Sequence, residues 1–248
     1  MTAADSSGNR LTSAPHRLRN ETADLLKGLA ILFMVQVHIT EQLARTDVYQ
    51  SILGQLSLFI GGPACAPVFM AVMGFFFPGK KRKTIYFIKR GALLFTGGIL
   101  LNVARSANLL FHIFSGRIDT DPLPYIFGAD ILTFAGLGLI IFGLLRWMIR
   151  EFASAYLVLA FLLAMISPSM EHFQPGTQPW SYLYAFIGGT APWSYFPVFP
   201  WMGYILIGAG LRMVLNARPH WAKLSDNVGI LWILVPVLLF LALTFQFA

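Results

Sequence analysis

Lys27 and His38 stand eleven residues apart in the stretch ADLLKGLAILFMVQVHITEQLA, Ala23 to Ala44. An α-helix turns about 100° and rises about 1.5 Å per residue, so the two share one line along a helix, roughly 16 Å apart. Asp24 and Glu41 fall within about 40° to 60° of that line. Between them, Gly28 to Val37 is apolar except for Gln36. One face of this helix therefore offers an amine near a carboxylate at its start and an imidazole near a carboxylate at its finish. Imidazole is the side chain suited to moving protons near neutrality, so His38 is a candidate general base. Glu41, one turn on, can orient it and keep its second nitrogen protonated. Lys27 is a candidate cation for a phosphate-bearing substrate, with Asp24 holding it. The plainer readings are a histidine bonded to a neighbouring helix, a solvated glutamate at a helix end, and a lysine anchor that snorkels. Ionisable groups in a membrane helix are costly and usually mark a working site, and the functional reading is built on that face.

The elements that carry these residues are membrane spans. The 248 residues are 56% hydrophobic and 12% charged, with mean hydropathy +0.66. A soluble domain averages about 25% charged residues, and repeated apolar stretches of roughly 18 residues or more indicate transmembrane helices. The fold class expected is all-α: a polytopic helical bundle of about seven transmembrane helices with a cytoplasmic N-terminus. Residues 1–20 read as a mobile cytoplasmic tail, and 21–248 as one transmembrane domain whose first helix is an uncleaved signal anchor. The further spans are expected at about 51–77, 85–104, 125–145, 152–166, 198–215 and 228–245. Gly61, Gly62, Pro63 and Pro67 predict a broken or kinked helix lying against the first span. Basic residues then partition. The tail, the 80–90 segment, Arg146/Arg150 and the 212–223 segment share one side, while Arg45, Arg105 and Arg117 take the other, as the positive-inside rule requires. The C-terminus then lies outside.

Other residues carry weaker signals. The run Lys80, Lys81, Arg82, Lys83 is usually a stop signal or a contact for anionic lipid head groups; the alternative is recruitment of an anionic cofactor. Lys89 and Arg90, at the membrane edge of the third span, suit direct phosphate contact. Asp130 is expected inside the fourth span, paired with a partner such as Arg105, because an unpaired carboxylate there is expensive. Trp180, Tyr182, Tyr184, Trp193 and Tyr195 fit an aromatic belt, and SYLYAFIGG is too short to span. The lone Cys65 forms no internal disulfide, and no Cys/His spacing suggests a metal site. No basic helix or aromatic platform points to nucleic acid. A transporter or permease is the rival class, but it requires paired broken helices in corresponding halves, which are not found. A non-catalytic scaffold has no need of polar groups aligned on one helix.

NETADLLKGLAILFMVQVHI resembles the first membrane helix of the transmembrane acyltransferases, the acyltransferase-3 proteins and the heparan-α-glucosaminide N-acetyltransferase-like group. Those open with an acidic residue, a short apolar step, Arg-Gly-Leu-Ala, an apolar run, and a His after it. Asp24, Lys27-Gly28-Leu29-Ala30 and His38 hold those places here. VFMAVMGFFF with the basic run and KRGALLF resembles the second helix, basic loop and third helix. FPVFPWMGYILIGAGL resembles a late helix of the second group. Lys27 departs from the usual Arg, replacing a bidentate fork by a point charge. The chain is also shorter than ten-helix acyltransferase-3 proteins, which favours the smaller group. The resemblance implies an acyl-CoA donor, acetyl-CoA foremost, arriving from the cytosol with its phosphates near Lys27, Lys89 and Arg90. It implies a sugar or glycan acceptor reaching His38 from the outer face, with the aromatic loop 180–195 stacking on the sugar. A bacterial inner-membrane location, a lipid environment and room for a homo-oligomer go with it; no metal is implied.

Overall fold

A computed structural model of the chain describes residues 21–78, 82–150, 152–172, 178–189 and 191–218. The expected tail 1–20, Lys80 and Lys81, the 173–177 piece of the long loop and the span at 228–245 lie outside the described residues. Among the described residues the regular elements are all helical. In chain order they are α1 (Glu21–Leu43), α2 (Thr46–Tyr49), α3 (Ile52–Phe59), a π-helical turn (Ile60–Ala64), α4 (Cys65–Phe75), α5 (Thr84–Arg105) and α6 (Ala107–Phe114). Then follow α7 (Leu123–Phe127), α8 (Ile131–Ile149), α9 (Ala153–His172), α10 (Gln178–Ala185) and α11 (Val198–Ala217). Among the described residues five stretches are long and apolar enough to cross a membrane: Ile52–Phe75, Thr84–Arg105, Ile131–Ile149, Ala153–Met170 and Val198–Ala217.

The expected irregularity near Gly61 is the π turn, which joins α3 to α4. Proline has no N–H, so Pro63 and Pro67 each remove a helical hydrogen bond, and a π turn absorbs the mismatch. This turn packs on α1, where a Cβ on Gly61 would overlap Val37. Sulfur from Cys65 donates to the Ala30 carbonyl at 3.2 Å. Gln36 on α1 donates to Ser57 on α3, whose hydroxyl also lies 2.9 Å from Thr40.

Small residues set the other close contacts, as expected where lipid gives no hydrophobic incentive for helices to associate. A Cβ on Gly208 of α11 would overlap the Ala71 carbonyl of α4, and Gly74 meets Ile205 in the same way. Gly91 and Gly98 of α5 lie against Gly136 and Thr133 of α8. Helix α11 is the most buried span, held between α4 and α9 and touching α8. The bundle thus runs from α1 through α4, α11 and α8 to α5, placing α1 and α5 at opposite edges.

Two span boundaries differ from expectation. The fourth span begins at Ile131 and ends at Ile149, later at both ends than 125–145. Tyr125 belongs to α7, and Asp130 is the N-cap of α8, accepting from the Ile131 N–H at 2.7 Å; it is not inside the span. The fifth helix runs on to His172, past the expected 166, with Pro168 in its last turns.

Candidate functional site

Paired contacts set the directions of the helices. Cys65 meets Ala30 and Gly61 meets Val37, and Gly91 meets Gly136 and Gly98 meets Thr133, so α1 runs antiparallel to α4 and α5 to α8; Ala71 meets Gly208 and Phe75 meets Arg212, so α4 and α11 run parallel. One end of the bundle then collects the start of α1, the end of α4, the starts of α5 and α9 and the ends of α8 and α11. Lys27, Arg82, Lys83, Lys89, Arg90, Arg146, Arg150, Arg212 and Arg218 all lie toward that end. Arg45, Arg105 and Arg117 lie toward the other.

A cavity of about 830 Å³ opens at the end poor in basic residues. His38 and Glu41 from the end of α1 line it, together with Arg105, Asp130, Ser167, Tyr195, Trp201 and Tyr204. His38 Nδ1 lies 3.1 Å from Glu41 Oε2. A carboxylate can only accept, so in the neutral imidazole Nδ1 carries the proton toward Glu41 and leaves Nε2 its lone pair. The reading of His38 as a clamp to a neighbouring helix does not fit this geometry. Its side chain is 65% exposed, and its hydrogen-bond partner sits on its own helix.

The opposing wall is built by α5 and α8. Arg105 Nη1 lies 3.5 Å from Asp130 Oδ2, the pairing expected from the sequence, though Asp130 makes it from an N-cap. Buried Asn102, one turn before Arg105, fixes the approach to that cap by donating to the Gly128 carbonyl at 2.9 Å and toward Ile126 at 3.5 Å. The Thr133 hydroxyl donates to the Asp130 carbonyl at 2.7 Å. The 193–196 segment is tied to the same turn. Ala129 N–H donates to the Trp193 carbonyl at 3.1 Å, and Phe196 N–H donates to the Ala129 carbonyl at 2.9 Å. That clasp delivers Tyr195 and Phe196 to the cavity.

The aromatic wall is shared between α11 and the loop before it. Phe196 stands edge-on to Trp201 at 4.8 Å, and Trp201 meets Tyr204 at 5.7 Å. Of the aromatics expected to form a belt, Tyr195 lines the cavity and Trp180, Tyr182, Tyr184 and Trp193 do not. Tyr182 and Trp193 stack on each other at 5.4 Å instead. The Tyr182 hydroxyl donates to Asp121, and that carboxylate pushes the phenol above its ordinary range. Trp201 and Tyr204 were not singled out from the sequence, although the segment FPVFPWMGY that contains them was.

The other expected site residues lie elsewhere. Lys27 is exposed and Asp24 half-buried at the start of α1; neither lines the cavity, and Lys27 makes no ion pair with Asp24. Lys89 and Arg90 are exposed near the start of α5, at the opposite edge of the bundle from α1. The structure therefore brings His38 and Glu41 together and does not gather Lys27, Lys89 and Arg90 into one cluster.

A family model described as heparan-alpha-glucosaminide N-acetyltransferase, catalytic, matches residues 19–242. Comparison with curated proteins and with solved structures returns no match.

Proposed function

This chain belongs to the heparan-alpha-glucosaminide N-acetyltransferase catalytic family, and from that premise we propose that it moves an acetyl or other short acyl group from cytosolic acyl-CoA to a sugar-containing acceptor. It is an integral membrane protein of an acetyltransferase family. In this reading α1 and residues 228–245 complete seven spans in a bacterial inner membrane. The basic end faces the cytosol and the cavity faces outward. Lys27, with Asp24 near it, is the group for the donor's phosphates at the basic end. Lys89 and Arg90, on the far edge, stand apart from that donor site.

The observation that carries the proposal is the His38–Glu41 pair in a cavity opposite the basic end. With Nδ1–H donated to Glu41, His38 Nε2 takes the proton from an acceptor hydroxyl or amine. The freed lone pair of the acceptor attacks the thioester carbonyl carbon. The tetrahedral adduct then expels the CoA thiolate, which recovers the proton from His38. Glu41 stabilises the imidazolium between those steps, while Trp201 and Tyr204 offer ring faces to the acceptor. Holding both reactants in one cavity supplies an entropic advantage and limits loss of the acyl group to water.

Acyl transfer by purified protein from radiolabelled acetyl-CoA to candidate glycans tests this, with CoA binding measured in parallel. His38→Ala retains at most about a hundredth of the activity, since a general base typically contributes 10²- to 10⁴-fold. His38→Gln does not rescue, because an amide cannot take the proton. CoA binding survives in both variants. Full transfer by His38→Ala ends the catalytic assignment.

A further inference from the structure

Three side chains line up four residues apart near the start of α5. The Arg82 guanidinium lies 4.0 Å above the Tyr86 ring, and Arg90 Nη1 donates to the Tyr86 hydroxyl at 3.0 Å. One tyrosine therefore holds two cations, its ring face taking the first and its hydroxyl the second. Lys83 and Lys89 flank them, and all four cations are exposed. Among the described residues the ion pairs are His38–Glu41, Arg45–Asp47 and Arg105–Asp130, so none supplies a carboxylate to this cluster. Two guanidiniums drawn to one ring repel each other unless an anion sits between them.

The same face continues as an apolar ridge. On the helix Leu93 and Leu100 fall within about 40° of the line through Tyr86. They are exposed, Leu93 to 73%. Phe87, Gly91, Gly98 and Asn102 form the buried face of α5, so the ridge points away from the bundle. Side chains on a helix lean toward its N-terminus, which lets Arg90 reach back from within the span to the level of Tyr86. In a bilayer the guanidiniums then lie at head-group depth and the leucines at acyl-chain depth.

We propose that Arg82, Tyr86 and Arg90 form a phosphate site for an anionic phospholipid, its phosphate between the two guanidiniums and one acyl chain along Leu93 and Leu100. Tyr86 is the positioning residue, because each arginine is fixed through it. The complementarity is of charge at the head and of apolar surface along the chain. Soluble CoA shares the phosphate but has nothing to lay along the ridge. The site is independent of acyl transfer and lies at the opposite end of α5 from the cavity.

Native mass spectrometry of the full chain, released from detergent with phosphatidylglycerol or with phosphatidylcholine of the same acyl chains, reads this directly. Wild type retains phosphatidylglycerol in preference. Each arginine replaced by glutamine lowers the preference about fivefold, the weight of one basic residue at an anionic surface. Tyr86→Phe keeps the ring, loses the hydroxyl, and weakens the preference less. Lys83→Gln/Lys89→Gln removes the same charge as Arg82→Gln/Arg90→Gln without touching Tyr86, and lowers the preference less. Equal retention of both lipids by wild type overturns the site. So does an equal loss in the lysine and arginine double variants, which makes the effect one of net charge. Displacement of phosphatidylglycerol by CoA at equal concentration makes it a site for soluble phosphates and overturns the lipid assignment. If the arginine double variant does not fold, Tyr86→Phe decides, and an unchanged preference there overturns the proposal.

Discussion

The two ends of α5 carry arginines in opposite circumstances. Arg105 has Asp130 at 3.5 Å and lines the cavity. Arg90, about 22 Å away along the helix, shares a tyrosine with a second arginine and has no carboxylate partner among the described residues. An exposed ion pair contributes only about 0 to 1 kcal/mol, so the Arg105–Asp130 pair does little for stability. Its effect is placement: the guanidinium is held in the wall facing His38. The Arg82–Arg90 group meets no carboxylate among the described residues and is suited to an anion from outside. Counter-ion supply, not residue type, separates a site-shaping arginine from a ligand-seeking one.

Orientation is the all-or-none test of that comparison. If the basic end is cytosolic, reporter fusions at Arg150 and Arg218 read cytosolic and one at Thr177 reads external. A cytosolic reading at Thr177 reverses which end meets CoA and which meets the acceptor, and the mechanism above fails with it. Next in size is the support behind the paired end. Asn102→Ala removes one of the two hydrogen bonds to the buried Gly128 carbonyl, the Asp130 N–H keeping the other, and a typical hydrogen bond contributes about 0.5 to 1.5 kcal/mol. We expect a lower thermal midpoint and a fall in acyl transfer, while phosphatidylglycerol retention at the far end stays unchanged. Loss of lipid retention in that variant means the two ends are not independent.

The smallest effect sharpens the comparison most. A double-mutant cycle with Arg105→Gln and Asp130→Asn gives a favourable coupling of about 0.2 to 1 kcal/mol, as exposed pairs do. The same cycle with Arg82→Gln and Arg90→Gln, run in neutral detergent, gives coupling of the opposite sign, because each substitution relieves a like charge. Adding phosphatidylglycerol turns that second coupling favourable. Identical signs in both cycles without lipid erase the distinction between the two ends.

Much of this was legible in the chain itself. The third span was placed within a residue at each end, and the sixth begins where expected, because hydropathy changes abruptly at Thr84 and Val198. The fourth was placed six residues early. Tyr125 to Ala129 is apolar enough to extend a hydropathy segment, yet Gly128 and the Asp130 cap start the helix later, and capping is invisible to hydropathy. The fifth was ended too soon at Ile166, where Ser-Pro-Ser reads as a break, although a membrane helix accommodates Pro168 near its end. At the site, His38 and Glu41 were legible because their relation is one helical turn. Trp201 and Tyr204 were not, because nothing in their own helix says which cavity it borders.

The amino-acid sequence alone determined whatever is local or one-dimensional: the helical class, the spacing of the spans, the segregation of basic residues and the imidazole–carboxylate pair on one turn. Which helices become neighbours was decided only by the tertiary structure. A lipid-facing leucine and a helix-facing leucine are equally apolar, so hydropathy carries no record of the partner. That choice falls to the few positions, such as Gly74, Gly91, Gly136 and Gly208, where two backbones fit together. Those contacts bring Arg105 and Asp130 to the wall opposite His38, and they set Lys27 and Arg90 on opposite edges of the bundle.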